Sequence, residues 1–117
     1  MLNLSACGMP FLGGYGANGL SKEEFTHYVE NVFRLQNSLT SQAMMLMEGD
    51  DNNNRYASLL LAEHKMHKAC QYLNEYASKD NEGANISILL QRNVEKTAVD
   101  CEQAANAFAE QLAEQPE

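Results

Sequence analysis

The sequence is poor in residues that interrupt helices and in basic residues. It has no tryptophan and two prolines, Pro10 and Pro116, so no proline interrupts the long middle of the chain. Eight Lys and Arg stand against sixteen Asp and Glu, a formal net charge of −8. Because a polyanion would be repelled, nucleic acid is excluded as the expected partner. The same charge would favour and steer a basic protein partner.

Long apolar runs and cysteines are also scarce. The longest apolar run on a predicted helix is Leu59-Leu60-Leu61-Ala62, far short of the ~20 residues of a membrane span, so no transmembrane segment is predicted. There are three cysteines, Cys7, Cys70 and Cys101. An odd and low count does not indicate a disulfide framework. Reduced thiols in a cytoplasmic protein are therefore expected.

Glycine marks the organisation of the chain. Five of the seven glycines lie in the first nineteen residues, which predicts a flexible arm over 1–19 and a helical domain over 20–117. Gly49 and Gly83 fall where two helices are expected to end. The arm carries three large apolar side chains that are expected to pack on the helical domain or on a partner: Phe11, Leu12 and Tyr15.

Three long amphipathic helices account for the rest of the chain. Ser21 and Glu24 form a capping-box pattern at the start of the first. Its apolar seam is predicted as Phe25, Tyr28, Val32, Leu35, Leu39 and Leu46, with Gln42 as the polar exception. The second helix is expected from about Arg55 to Lys79. Its seam is predicted as Leu59, Ala62, Met66, Ala69, Leu73 and Tyr76, widened by Tyr56, Cys70 and Ala77. The third is expected from an Asn85 cap to about Glu114, with a seam of Leu90, Val94, Ala98, Cys101, Ala105, Phe108 and Leu112.

The short connections between these helices predict antiparallel neighbours. The expected fold is all-α, an up-down-up bundle of three long helices, completed to four by the arm or by dimerisation. If the third helix folds back around residue 82, Cys70 lies level with Val94, and Cys101 level with Glu63. The two thiols are then about 10 Å apart along the bundle. A disulfide needs Cα atoms within ~7 Å, so Cys70 and Cys101 are predicted not to pair.

Three histidines are candidate metal ligands: His27, His64 and His67. His64 and His67 share one helix face next to Glu63, a set that could hold a divalent ion. His27 on the first helix lies roughly 15 Å away once the helices are folded back on each other. No metal site and no cofactor are therefore predicted. A nucleophilic site at Cys101, His67 and Glu63 would lack an oxyanion hole, so the chain is not expected to be an enzyme.

The stretch His64-Lys65-Met66-His67-Lys68-Ala69-Cys70 resembles the phosphorylation motif of histidine phosphotransfer domains, which are small acidic helical bundles. His64, Met66, Ala69 and Cys70 fit that pattern. His67 stands where the family has Lys, and Lys68 occupies the Gly position, which puts docking of a response regulator in doubt. The resemblance implies that His64 is a phosphoacceptor in signalling.

A second alternative concerns location. Leu4-Ser5-Ala6-Cys7 matches a bacterial lipobox, in which Cys7 would be lipidated and the protein anchored in the envelope. A working signal needs basic and apolar residues upstream, and only Met1-Leu2-Asn3 precede the lipobox in this sequence. A cytoplasmic location is therefore the leading prediction, with the envelope as the alternative.

The leading functional hypothesis is a non-enzymatic helical protein-interaction module: an adaptor, a small chaperone or an inhibitor. Met44, Met45 and Met47 cluster near the end of the first helix, and flexible methionines suit adaptable binding surfaces. Together with Phe11, Leu12 and Tyr15 they form the predicted interaction surface. The expected partners are a protein, for which the charge favours a basic one, and a second copy of the chain in a homodimer.

Overall fold

A computed structural model describes residues 20–49 and 53–115, and within these ranges the chain is helical and contains no β-sheet. In chain order the elements are α1 (Lys22–Met47), a short 3₁₀ turn (Asn53–Tyr56), α2 (Ala57–Ala69), α3 (Gln71–Asn81) and α4 (Ile88–Ala113). The all-α prediction is confirmed. The arm at 1–19, with Phe11, Leu12, Tyr15 and Cys7, lies outside the described residues.

The two ends of α1 form as the sequence predicts. The Ser21 N–H donates to Glu24 Oε1 at 2.9 Å, and the Glu24 N–H donates to Ser21 Oγ at 3.1 Å, so the capping box is complete. The helix ends before Gly49, whose φ of 80° is a left-handed conformation that residues with a Cβ rarely adopt.

The buried seam of α1 differs from the predicted one. The buried positions are Phe25, Val29, Val32, Gln36, Leu39 and Ala43. Tyr28 and Leu35 are half-buried beside this seam, and Gln42 is exposed, hydrogen-bonded to Ser38 at 3.2 Å. Both seams alternate three and four residues, so the period alone could not choose between them. The buried polar residue of α1 is therefore Gln36, and the prediction for Gln42 was wrong.

The predicted second helix is two helices. α2 and α3 meet at Cys70, whose ψ of 7° departs from helical geometry. The Cys70 N–H still donates to the Met66 carbonyl and its own carbonyl accepts from the Asn74 N–H, so helical hydrogen bonds continue on both sides of the junction. No glycine or proline marks this break, and for that reason the sequence did not predict it.

The connector before α4 is longer than predicted. Gly83, with φ 73°, ends α3, and the Ala84 N–H donates back to the Lys79 carbonyl at 2.9 Å. The cap of α4 is Ser87, whose Oγ accepts from the Leu90 N–H at 3.1 Å. The prediction of an Asn85 cap was wrong by two residues.

This longer connector explains a second correction. Cys70 and Cys101 form a disulfide with a Cα–Cα distance of 4.6 Å, although the sequence predicted that they would not pair. The bond sets Cys70 level with Cys101, so the midpoint of the reversal falls between residues 85 and 86, about three and a half residues later than assumed. Moving the reversal point shifts the pairing of α4 with α2 and α3 by twice that amount, which is seven residues. The predicted seven-residue offset between Cys70 and Cys101 therefore disappears. The expectation of reduced thiols was therefore wrong for this pair.

The core lies where α4 packs against the other helices. Every predicted seam position of α4 is buried except Leu112, which is half-buried. Phe25 on α1 meets Tyr76 on α3 edge to face, with ring centroids 5.9 Å apart. Because α1 and α4 point the same way and α2 and α3 run back, the C-terminal ends of α1 and α4 lie at the same end of the molecule.

Candidate interaction surface

The most buried polar cluster is structural. Gln36, only 2% exposed, exchanges two hydrogen bonds with Asn74: Gln36 Nε2 donates to Asn74 Oδ1 at 2.7 Å, and Asn74 Nδ2 donates to Gln36 Oε1 at 3.1 Å. Cys101 Sγ lies 3.9 Å from Gln36 Nε2, so the amide pair and the disulfide form one layer across α1, α3 and α4. The pair satisfies its own polar atoms and aims none at a ligand.

Tyr28 is a half-buried titratable group. Its hydroxyl donates to Glu102 Oε1 at 2.9 Å and lies 3.2 Å from the Ala98 carbonyl. Burial raises the pKa of Tyr28 far above its ordinary value, and the hydrogen bond to Glu102 raises it further. The Tyr28 hydroxyl therefore stays protonated at neutral pH and does not act as a general acid or base. Its two contacts link α1 to α4.

The three histidines all lie on the surface. His64 and His67 are exposed on α2, where His67 Nε2 lies 3.8 Å from Glu63 Oε2, and His27 lies 3.8 Å from Glu30 on α1. Among residues 20–49 and 53–115, no three His, Cys, Asp or Glu side chains come together as a metal-binding group. A phosphoacceptor must be exposed, but since all three histidines meet that requirement, exposure does not single out His64.

The methionines of α1 form an exposed apolar surface. Met44 and Met45 are 64% and 74% exposed, whereas Met47 is half-buried and packs against the core. Together with Ser41 and Glu48 they line an open depression of about 600 Å³, which we call the methionine groove. The thirteen residues from Leu35 to Met47 carry no charged side chain. A flexible, uncharged and polarisable surface of this kind suits an apolar partner.

The end of the molecule next to the methionine groove is electronegative. α1 and α4 both finish at this end, since Leu46 lines a shared depression with Leu112 and Gln115. Neither helix has a basic residue in its last turn, so the negative ends of both helix dipoles lack a neutralising Lys or Arg on those turns. Acidic side chains add to this field: Glu48, Glu110 and Glu114. The guanidinium of Arg55, also at this end, lies over the Tyr56 ring at 5.3 Å from its centroid.

Sequence reasoning did not select two other exposed apolar sites. Ile88 and Leu89, 74% and 69% exposed, lie at the first turn of α4, at the opposite end of the bundle from the methionine groove. Leu61, 55% exposed, lies on α2. The sequence did indicate that Ile88 and Leu89 are exposed, because the helical spacing of Leu90, Val94 and Ala98 places both residues off the buried face.

Scans against protein-family models, curated proteins and solved structures found no match to this chain. Within residues 20–49 and 53–115, no helix combines the length and apolarity needed to cross a bilayer.

Proposed function

We propose that the chain is a non-enzymatic protein-interaction module that binds a basic, amphipathic segment of a partner protein at the methionine groove. The observation that carries this proposal is the pair Met44 and Met45, both largely exposed at the electronegative end of the bundle. Such a surface would serve an adaptor, a small chaperone or an inhibitor.

The chemistry of the partner follows from the two properties of this end. Apolar side chains of the segment would cover Met44 and Met45, as when an amphipathic helix lies in an apolar groove. Lys and Arg on its polar side would face Glu48 and the carboxyl ends of α1 and α4, whose last turns carry no basic residue. An overall charge of −8 would speed the encounter and make it sensitive to salt.

Methionine-methyl NMR tests this proposal directly. Of the six methionines, Met44, Met45 and Met47 report on the groove, and Met66, which is fully buried, is an internal reference. The probe is a helical peptide of about 18 residues built from Leu and Lys, compared with one in which Glu replaces every Lys. The Lys peptide should shift the Met44 and Met45 signals saturably and more weakly in high salt, and the Glu peptide should leave them unchanged.

Matched variants locate the binding surface. The double substitution Met44→Gln and Met45→Gln should weaken binding of the Lys peptide by about tenfold or more, since anchors of this kind each contribute more than ~1 kcal/mol. The control, Ile88→Gln with Leu89→Gln, removes exposed apolar side chains at the opposite end and should leave the affinity unchanged. Equal losses in both variants, or no binding by wild type, would contradict the proposal.

The Cys70–Cys101 disulfide favours the envelope alternative over the cytoplasm. Disulfides form and persist in oxidising compartments and are rare in the cytosol, so the pair supports a protein that works outside it. Lipidation of Cys7 within Leu4-Ser5-Ala6-Cys7 would then hold the module at a membrane, although it requires a signal upstream of the lipobox. Mass spectrometry of protein isolated from its own cells, after blocking free thiols, tests both points. A lipid on Cys7 would support this location, as would a disulfide that keeps Cys70 and Cys101 from reacting with the blocking reagent. Blocked thiols at Cys70 and Cys101 would contradict it.

A further inference from the structure

A second groove runs between α2 and α4, on a different part of the surface from the methionine groove. It encloses about 370 Å³, and we call it the α2/α4 groove; its lining consists of Ser58, Leu61, Ala62, Lys65, Ala104, Ala107, Glu110 and Gln111. Leu61 and Ala107 are exposed. Small side chains at 62, 104 and 107 let another helix approach closely, and Leu61 supplies apolar surface for it to cover.

The two walls of this groove carry opposite charge. On α2, the charged residue of the lining is Lys65. On α4, the charged residue of the lining is Glu110. Neither Lys65 nor Glu110 forms an ion pair with another described residue. A partner that pairs with both walls must therefore present an acid to Lys65 and a base to Glu110.

We propose that a second copy of this chain occupies the α2/α4 groove and forms a twofold-symmetric dimer. A twofold axis parallel to the groove places α2 of each copy over α4 of the other at the same height. The basic wall of one chain then faces the acidic wall of its partner, twice over, as an isologous interface requires. This inference goes beyond the proposed binding at the methionine groove and does not depend on it.

The heights of the charged residues agree with this arrangement. The disulfide places Cys70 level with Cys101, so Lys65 lies at the height of about residue 106. Glu110 is one helical turn further along, roughly 6 Å by helical rise, within the reach of a lysine side chain. In the resulting four-helix arrangement every neighbour is antiparallel, which is also the favourable orientation of the helix dipoles.

Charge reversal tests the dimer by sedimentation velocity. Wild type should sediment as a dimer, and Lys65→Glu or Glu110→Lys alone should each weaken dimerisation by about tenfold or more, because each places two like-charged pairs in the interface. An equimolar mixture of the two variants should dimerise again, since both cross-pairs are then of opposite sign. Lys96→Glu, the same charge change on an exposed lysine outside the groove, is the control and should behave as wild type.

A steric variant gives an independent measurement. Ala107→Arg replaces an exposed residue of the groove and should abolish dimerisation while circular dichroism and thermal unfolding show an intact bundle. Wild type that stays monomeric at millimolar concentration would overturn the proposal and leave the groove to a different partner. A dimer that ignores Lys65, Glu110 and Ala107 would also overturn it, because its interface would lie elsewhere.

Discussion

Reduction of the Cys70–Cys101 disulfide should lower the free energy of unfolding by about 3.7 kcal/mol. The bridged residues are 31 apart in sequence, and the chain-entropy model gives this value for a closed loop of that size. The oxidised and reduced forms contain the same heavy atoms, so the comparison leaves no cavity to correct for. All samples should carry Cys7→Ser, which removes the third thiol and prevents exchange.

Urea denaturation followed by circular dichroism is the assay, with the reduced sample prepared in denaturant and refolded with reductant. A cross-linked denatured state exposes less surface, so the free energy of unfolding falls less steeply with urea in the oxidised sample. The free energies extrapolated to zero urea should therefore be compared, and not the midpoints alone. Equal free energies in the two samples would show that the cross-link does not stabilise the bundle. Two alkylated thiols in the oxidised Cys7→Ser protein would likewise contradict the expectation, because Cys70 and Cys101 would then not be bonded.

Buried and capping contacts lead to three more expected outcomes. Gln36→Leu should cost about 1–3 kcal/mol because Asn74 loses its partner, and adding Asn74→Leu should recover part of that loss, as measured by urea denaturation. The hydrogen bonds from the Ser21 N–H and hydroxyl to Glu24 lower the pKa of Glu24 below 4.5, so its stabilising effect is present above pH 4.5 and is lost as pH falls through the folded-state pKa. The difference in melting temperature between wild type and Glu24→Ala should accordingly shrink on acidification, and a constant difference would contradict this. Gly49→Ala should lower stability by roughly 1–2 kcal/mol because of its left-handed backbone, whereas an unchanged melting temperature would refute a need for glycine there.

Local signals in the sequence predicted the ends of α1 well and the packing of the chain less well. The Ser21–Glu24 capping box and the turn at Gly49 depend on neighbouring residues only, and both formed as expected. The choice of Gln36 over Gln42 as the buried amide depends on Asn74, 38 residues away in the chain. Helical periodicity carries no information about such a partner, so it could not favour one seam over the other.

The disulfide shows how a small local error spreads along a bundle. Placing the reversal near residue 82 in place of residues 85–86 moved the pairing of α4 by seven residues, about two helical turns, and separated Cys70 from Cys101. The seam of α4 was nevertheless predicted correctly, because its face depends on residue spacing and not on the pairing with α2 and α3. Which of the methionines are exposed required the structure, since methionine fills cores more often than it forms binding surfaces.

Partner capture in the protein's own cells tests most directly whether the methionine groove is the surface through which this protein acts. Tagged wild type, Met44→Gln/Met45→Gln and Ile88→Gln/Leu89→Gln would be cross-linked in the cell, and captured proteins quantified at two salt concentrations. We expect one reproducible partner with a basic amphipathic segment, lost in the Met44/Met45 variant and in high salt, and retained in the Ile88/Leu89 variant. A partner retained by the Met44/Met45 variant at wild-type levels would contradict a role for the groove.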